Sequence, residues 1–260
     1  MPLPDGTRLG PVSLTVADAE RSMKFYRDLA GLHELSRDGS RVTLGAGSTP
    51  VLHLYEEPGA KPMPDRASGL YHTAILYPDR AALARTVKYI ATSGYPFTGA
   101  SDHLVSEAFY LTDPDGLGVE LYRDRPRNEW RWHGDQIEMA THPIHFEDFI
   151  AAADRAFDGA PEGTRVGHVH LKVSAIADAE TFYRDAIGFD VTAHFGDSAT
   201  FMSGGRYHHH LGANIWHSRG LPAAGAGFAG LREFVIEVPG GKARTLTDPW
   251  GHGVRMTNSV

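Results

Sequence analysis

Y-H-T-A-I-L-Y-P at 71–78 and S-D-H-L-V-S-E-A-F-Y-L-T-D-P-D-G-L-G-V-E-L-Y at 101–122 are the segments on which the fold turns. His72 sits in a short apolar run whose alternation predicts a strand. Glu120, in V-E-L-Y, opens out of the turn Asp113-Pro114-Asp115-Gly116, whose residue types preset a tight reversal. A carboxylate flanked by Val119, Leu121 and Tyr122 is costly to bury unless a cation meets it. A lone strand histidine is more often a hydrogen-bonded core residue. With Glu120 on a neighbouring strand, the pair instead offers what a divalent ion takes.

Working outward, Asp79 can cap a helix carrying Leu83, Val87, Ile90 and Ala91 on one face, and Gly94 stops it. The same order appears upstream. L-G-P-V-S-L-T-V at 9–16 alternates, Asp18 caps a helix with Ala19, Met23, Tyr26 and Ala30 inward, and strand-like runs follow near 33–37, 41–45 and 51–56. From 166 that first unit is replayed at a constant offset of 157, matching His168 to Pro11, Phe182 to Phe25 and Gly188 to Gly31. A fourth unit opens G-L-R-E-F-V-I-E-V-P against G-L-Y-H-T-A-I-L-Y-P and closes D-P-W-G-H-G-V-R-M against D-P-D-G-L-G-V-E-L. Only G-G-K-A-R-T-L-T lies between, so this unit is shortened. The expected fold class is α+β, with four βαβββ units paired into two half-barrel domains at 7–125 and 164–260. Residues 126–163 form a linker with one short helix, either packed over a domain surface or tethering it loosely.

A net charge of −7 leaves no basic footprint, so no nucleic-acid partner is expected. No long uncharged apolar run exists for a membrane span, M-P-L-P-D-G-T-R lacks a signal-peptide core, and cysteine is absent. The expectation is a cytoplasmic protein with neither disulfides nor thiolate ligands. Fifteen histidines tilt the chemistry toward metal binding or proton transfer.

With G-L-Y-H-T-A-I-L, S-D-H-L-V-S-E-A-F-Y-L-T-D-P-D-G, G-V-E-L-Y-R-D-R-P, G-H-V-H-L-K-V and Y-H-H-H-L-G-A-N-I-W, the chain resembles the vicinal oxygen chelate superfamily of glyoxalases, bleomycin-resistance proteins and extradiol dioxygenases. Within it the chain is most similar to two-domain bacterial catechol 2,3-dioxygenases. The resemblance implies an open half-barrel around a metal held by His72 and Glu120. Extradiol enzymes have a histidine where Pro11 stands, and His53 in V-L-H-L-Y, aligned with Glu120, would complete the triad. It also implies that His103 and Tyr110 steer substrate. In the second pair His168, His210 and Glu233 form a further candidate metal or ligand set, with Arg255 in the carboxylate position.

The function so implied is ring cleavage of a catechol-like aromatic diol with O2, using Fe(II), or else Mn(II). Two alternatives stand beside it: a glyoxalase-like Zn(II) or Ni(II) lyase or isomerase, and a non-catalytic small-molecule binding or resistance protein. Exposed sheet edges in such half-barrels imply a homodimer.

Overall fold

The computed structural model describes residues 2–259, so the last residue of the expected C-terminal domain lies outside it. The first unit comprises β1 (Arg8–Val16), α1 (Ala19–Asp28), β2 (His33–Asp38), β3 (Arg41–Ala46) and β4 (Thr49–Glu56). The second comprises β5 (Gly69–Tyr77), α2 (Arg80–Ser93), β6 (Gly99–Asp102), β7 (Ser106–Thr112) and β8 (Gly118–Asp124). A connection carrying β9 (Trp132–His133), β10 (Gln136–Ile137) and α3 (Phe146–Ile150) leads to the third unit. That unit holds β11 (Arg165–Lys172), α4 (Ile176–Thr181), β12 (Asp190–Phe195), β13 (Ala199–Ser203) and β14 (Leu211–Asn214), with a π turn at Phe182–Ile187 extending α4. The fourth unit is β15 (Gly230–Pro239), β16 (Arg244–Thr247) and β17 (Gly253–Ser259), with no helix among its described residues.

The caps form as the sequence predicts. Asp18 accepts the Arg21 N–H at 2.9 Å, Asp79 accepts the Ala82 N–H at 2.8 Å, and Gly94 closes α2 at φ 76°. None of the described helices is long and apolar enough to cross a membrane.

Strand pairing departs from the expectation. The order β16-β17-β15-β1-β4-β3-β2 joins units one and four, and β12-β13-β14-β11-β5-β8-β7-β6 joins units two and three. Unit one therefore does not share a sheet with unit two, nor unit three with unit four. The seams are antiparallel pairings of opening strands, β1 with β15 and β5 with β11. An expected split at 126–163 cuts between the two units that share the larger sheet. Instead, units one and two, and likewise units three and four, meet through a repeated lock between a helix and a turn. Tyr26 on α1 donates to Asp113 at 3.0 Å, and Tyr183 after α4 donates to Asp248 at 2.8 Å. Asp113 Oδ1 also accepts the Asp115 and Leu117 N–H groups, and Asp248 Oδ1 those of Trp250 and His252, so the D-P-x-G turns are wound around their own carboxyls. Contacts from Arg21 and from buried Ser22 to Asp115 extend the first lock. One continuous apolar core runs beneath both sheets.

Removing the Tyr26 hydroxyl leaves a buried carboxyl short of a donor. Tyr26→Phe should cost about 1–3 kcal/mol in urea unfolding, with Tyr183→Phe in the same range.

Candidate metal centre

In the larger sheet one row of side chains crosses four strands. Tyr110 on β7 is paired with Glu120 on β8, Glu120 with Ala74 on β5, and Ala74 with His168 on β11. Directly paired residues share a face, and His72 stands two residues from Ala74 on that same face. Because Ala74 ends at its methyl, Glu120 and His168 lean over it and meet.

Glu120 Oε2 lies 2.9 Å from His72 Nε2 and 3.2 Å from His168 Nε2, and the two nitrogens are 3.3 Å apart. These three groups form a cluster of metal-ligating type among the described residues, all of them buried. Metal–ligand bonds of about 2.1 Å at right angles put neighbouring donors about 3 Å apart, so the triangle fits one face of a divalent ion's coordination shell. Burial pushes the His168 imidazole down to about 4, a neutral ring with a lone pair to give. Burial opposes the charge on Glu120, but His168 and His72 outweigh it and hold the carboxylate well below its usual range. His168 Nδ1 is buried without a hydrogen-bond partner among the described residues, against the Tyr122 ring.

The triangle lies at the base of a cavity of about 850 Å³. His103 and Tyr110 line it. His103 Nδ1 is 2.7 Å from the Ala140 carbonyl, which can only accept, so the ring proton sits on Nδ1 and Nε2 accepts the Tyr110 O–H at 2.8 Å. Burial, then the Glu120 charge, keeps the Tyr110 hydroxyl protonated far above its ordinary range.

His53 is not part of this group. β4 is bonded between β1 and β3 in the other sheet, where His53 Nδ1 lies 3.0 Å from Thr43 Oγ1. Nor do His168, His210 and Glu233 assemble. His168 joins the first set across the β5–β11 seam. His210 accepts the Gly204 N–H and stacks on Tyr207 and Phe189, and Glu233 pairs with Arg255 at 2.9 Å. The run His208–His210 is not a strand but the approach to β14, and its rings meet different partners, His208 reaching Asp124 and His210 the Gly204 N–H. His209 faces the cavity, its ring 4.2 Å from that of His168.

His170 was missed by sequence reasoning, although the signal was present. In G-H-V-H-L the period of two puts His168 and His170 on one face. Its ring lies 4.9 Å from that of His72, and its Nε2 is 3.0 Å from Asn214 Nδ2. Tyr71 and Trp216 cover it toward the cavity mouth.

The glyoxalase/bleomycin resistance protein/dioxygenase superfamily profile matches residues 8–121. A Bacillus subtilis protein named catechol-2,3-dioxygenase is 39% identical over 240 residues, covering 90% of this chain and 84% of that one. Among solved structures, glyoxalase I from Zea mays superposes with a TM-score of 0.58 at 18% identity over 97% of this chain and 92% of the other. The cppA protein of Streptococcus pneumoniae superposes at 0.56 and 9% identity, over 97% of this chain and 99% of the other.

Two outcomes test this geometry. Ala74→Leu should fill the gap over which the ligands meet and weaken divalent-metal binding about tenfold or more in a chelator competition assay, with the fold retained. Second, His168, His170, His209 and His210 are all held neutral by burial, whereas in the unfolded chain they titrate near 6.5. The unfolded state therefore binds more protons below that pH. Stability of the metal-free protein should be full above about 6.5 and fall as pH drops toward 4, seen as a lower melting temperature at pH 5 than at 7.5.

Proposed function

Because the chain belongs to the glyoxalase/bleomycin resistance protein/dioxygenase superfamily, we propose that it is a metal-dependent extradiol dioxygenase, cleaving the ring of a catechol-like diol with O2. The observation that carries this reading is the convergence of two imidazoles and one carboxylate, His72, His168 and Glu120, on one point in a cavity. That donor set, with its remaining positions open, suits non-haem Fe(II) above other divalent ions. Bound there, the ion would chelate the diol, acidify its hydroxyls and activate O2 beside the ring.

The chain's own groups would handle the protons. His209, which burial keeps neutral, stands beside the ligands as acceptor for a hydroxyl proton of the diol. His103 and Tyr110 form a second proton-holding pair lining the same cavity, with the Tyr110 O–H aimed at the His103 Nε2 lone pair. A proton brought to His103 would free both groups to donate into the cavity. Tyr71, Trp216 and Phe201 offer faces and edges for an aromatic ring. Both atoms of O2 enter the product, so no outside reductant is needed.

Fe(II)-loaded protein mixed with catechols in air should take up one O2 per diol and give the coloured ring-opened aldehyde acid. Glu120→Gln should lose the metal and the activity together, and His103→Ala should keep the metal while kcat falls about 100-fold. Stoichiometric metal with no O2 uptake on any diol would sink the proposal.

A further inference from the structure

Asp124 ends β8, four residues beyond Glu120. Its Oδ1 lies 2.8 Å from His208 Nε2, and Tyr207 donates to both of its oxygens at 2.9 and 3.1 Å. His208 is fully buried, with Trp130 and Tyr207 packed against its ring. Its other nitrogen, Nδ1, lies 2.8 Å from His209 Nδ1. His209 lines the cavity, and among the described residues its Nε2 has no hydrogen bond to protein. A carboxylate, two imidazoles and the cavity thus follow one another in a single file.

With one N–H on each ring, the hydrogens along this file follow from valence. A carboxylate oxygen accepts, so the hydrogen between Asp124 and His208 is on His208 Nε2. A neutral imidazole carries one N–H, so His208 Nδ1 has a lone pair. Two nitrogens 2.8 Å apart must share one hydrogen, which therefore belongs to His209 Nδ1. His209 Nε2 is left bare, with its lone pair toward the space beside His168 and Glu120. Without Asp124 both rings could carry their hydrogens the other way round, and His209 would then present an N–H to the cavity, unable to accept.

We propose that Asp124 and His208 are positioning residues that fix the tautomers of two successive histidines, leaving His209 with a proton-accepting Nε2 where the substrate diol binds. The diol hydroxyl proton goes to that nitrogen, and the charge gained by His209 is offset by Asp124 through the intervening ring. What is deprotonated rests on the ring-cleavage reading; the tautomers do not. The sequence holds both partners in plain motifs, Y-R-D at 122–124 and Y-H-H-H at 207–210, but nothing in the spacing says that they meet.

The test uses protein labelled with 15N at histidine and loaded with diamagnetic Zn(II), the His209 resonances being assigned with His209→Gln. Two-bond 15N–1H correlations should show His209 protonated at Nδ1 and His208 at Nε2. A wild-type His209 protonated at Nε2 overturns the proposal, whatever the activity. Asp124→Asn replaces an acceptor by a group that can donate, and should reverse both tautomers. In the Fe(II) enzyme it should lower kcat about 100-fold or more with KM changed less than about threefold. Unchanged tautomers or unchanged kcat in that variant would overturn the proposal as well. Should the variant not fold, the wild-type spectrum decides alone. Should no diol be turned over by the wild type, the ring-cleavage reading falls and the spectrum still reads the relay.

Discussion

The antiparallel seam between β5 and β11 is the contact on which the rest depends. It sets His170 across from His72 and His168 across from Ala74, with irregularities in register on either side of that pair. The parallel pairing of β5 with β8 sets Glu120 on the far side of the same alanine. Strands lie about 4.8 Å apart, so ligands on β8 and β11 could not meet over a bulky residue on β5. The smallest chiral side chain, between two of the most polar, permits a buried carboxylate. Each member of the triangle would be expensive alone, and together they leave a single point where a cation satisfies all three.

The other sheet shows the same backbone with different chemistry. Glu233 pairs with Gly253 as His72 does with Gly118, and Arg255 pairs with Val235 as Glu120 does with Ala74. There the guanidinium reaches Glu233 directly, so an internal ion pair takes the place that the larger sheet leaves for a cation. Ser13 faces Glu233 where His170 faces His72. What both halves retain is mechanical, namely the tyrosine of F-Y-R-D held by the first aspartate of D-P-x-G. The repeat in the sequence is thus mainly a record of that lock.

This explains which parts of the fold and site could be read in advance. The units, both acid-capped helices, the shortened fourth unit, and the burial of His72 and Glu120 rest on local pattern, which a sequence displays. Which units share a sheet does not. Units one and two are adjacent in sequence and packed together, yet they bond to different partners, so His53 lies on the other sheet and His168 joins His72 and Glu120 instead of a separate set. Strand register supplied the second error. A fixed offset of 157 equates His210 with His53, but His53 pairs with Ser13 whereas the neighbour of His170 on β14 is Gly212. The loop through Gly204 and Gly205 takes up the difference, and it turns the three histidines out of any common strand.

Chain length beyond what connectivity requires also carries information. The end of β8 and the start of β11 lie at the same end of the sheet, flanking β5, since Arg123 pairs with Tyr77 and Arg165 with Leu76. Two strand spacings, about 10 Å, would be bridged by about three extended residues. The chain spends residues 125–164 on the crossing. Part of that excess packs α3 against the sheet, Phe149 on Phe109 at 4.6 Å. Another part folds back as the β9–β10 hairpin, where Gln136 donates to the Val191 carbonyl and Ile137 and Met139 wall the cavity. Between them, Ala140 presents the carbonyl that fixes the His103 tautomer. Long connections in compact folds usually serve a site. Here the connection joins two units that each supply only part of the ligand set, covers the cavity they form, and sets the proton position of one group inside it.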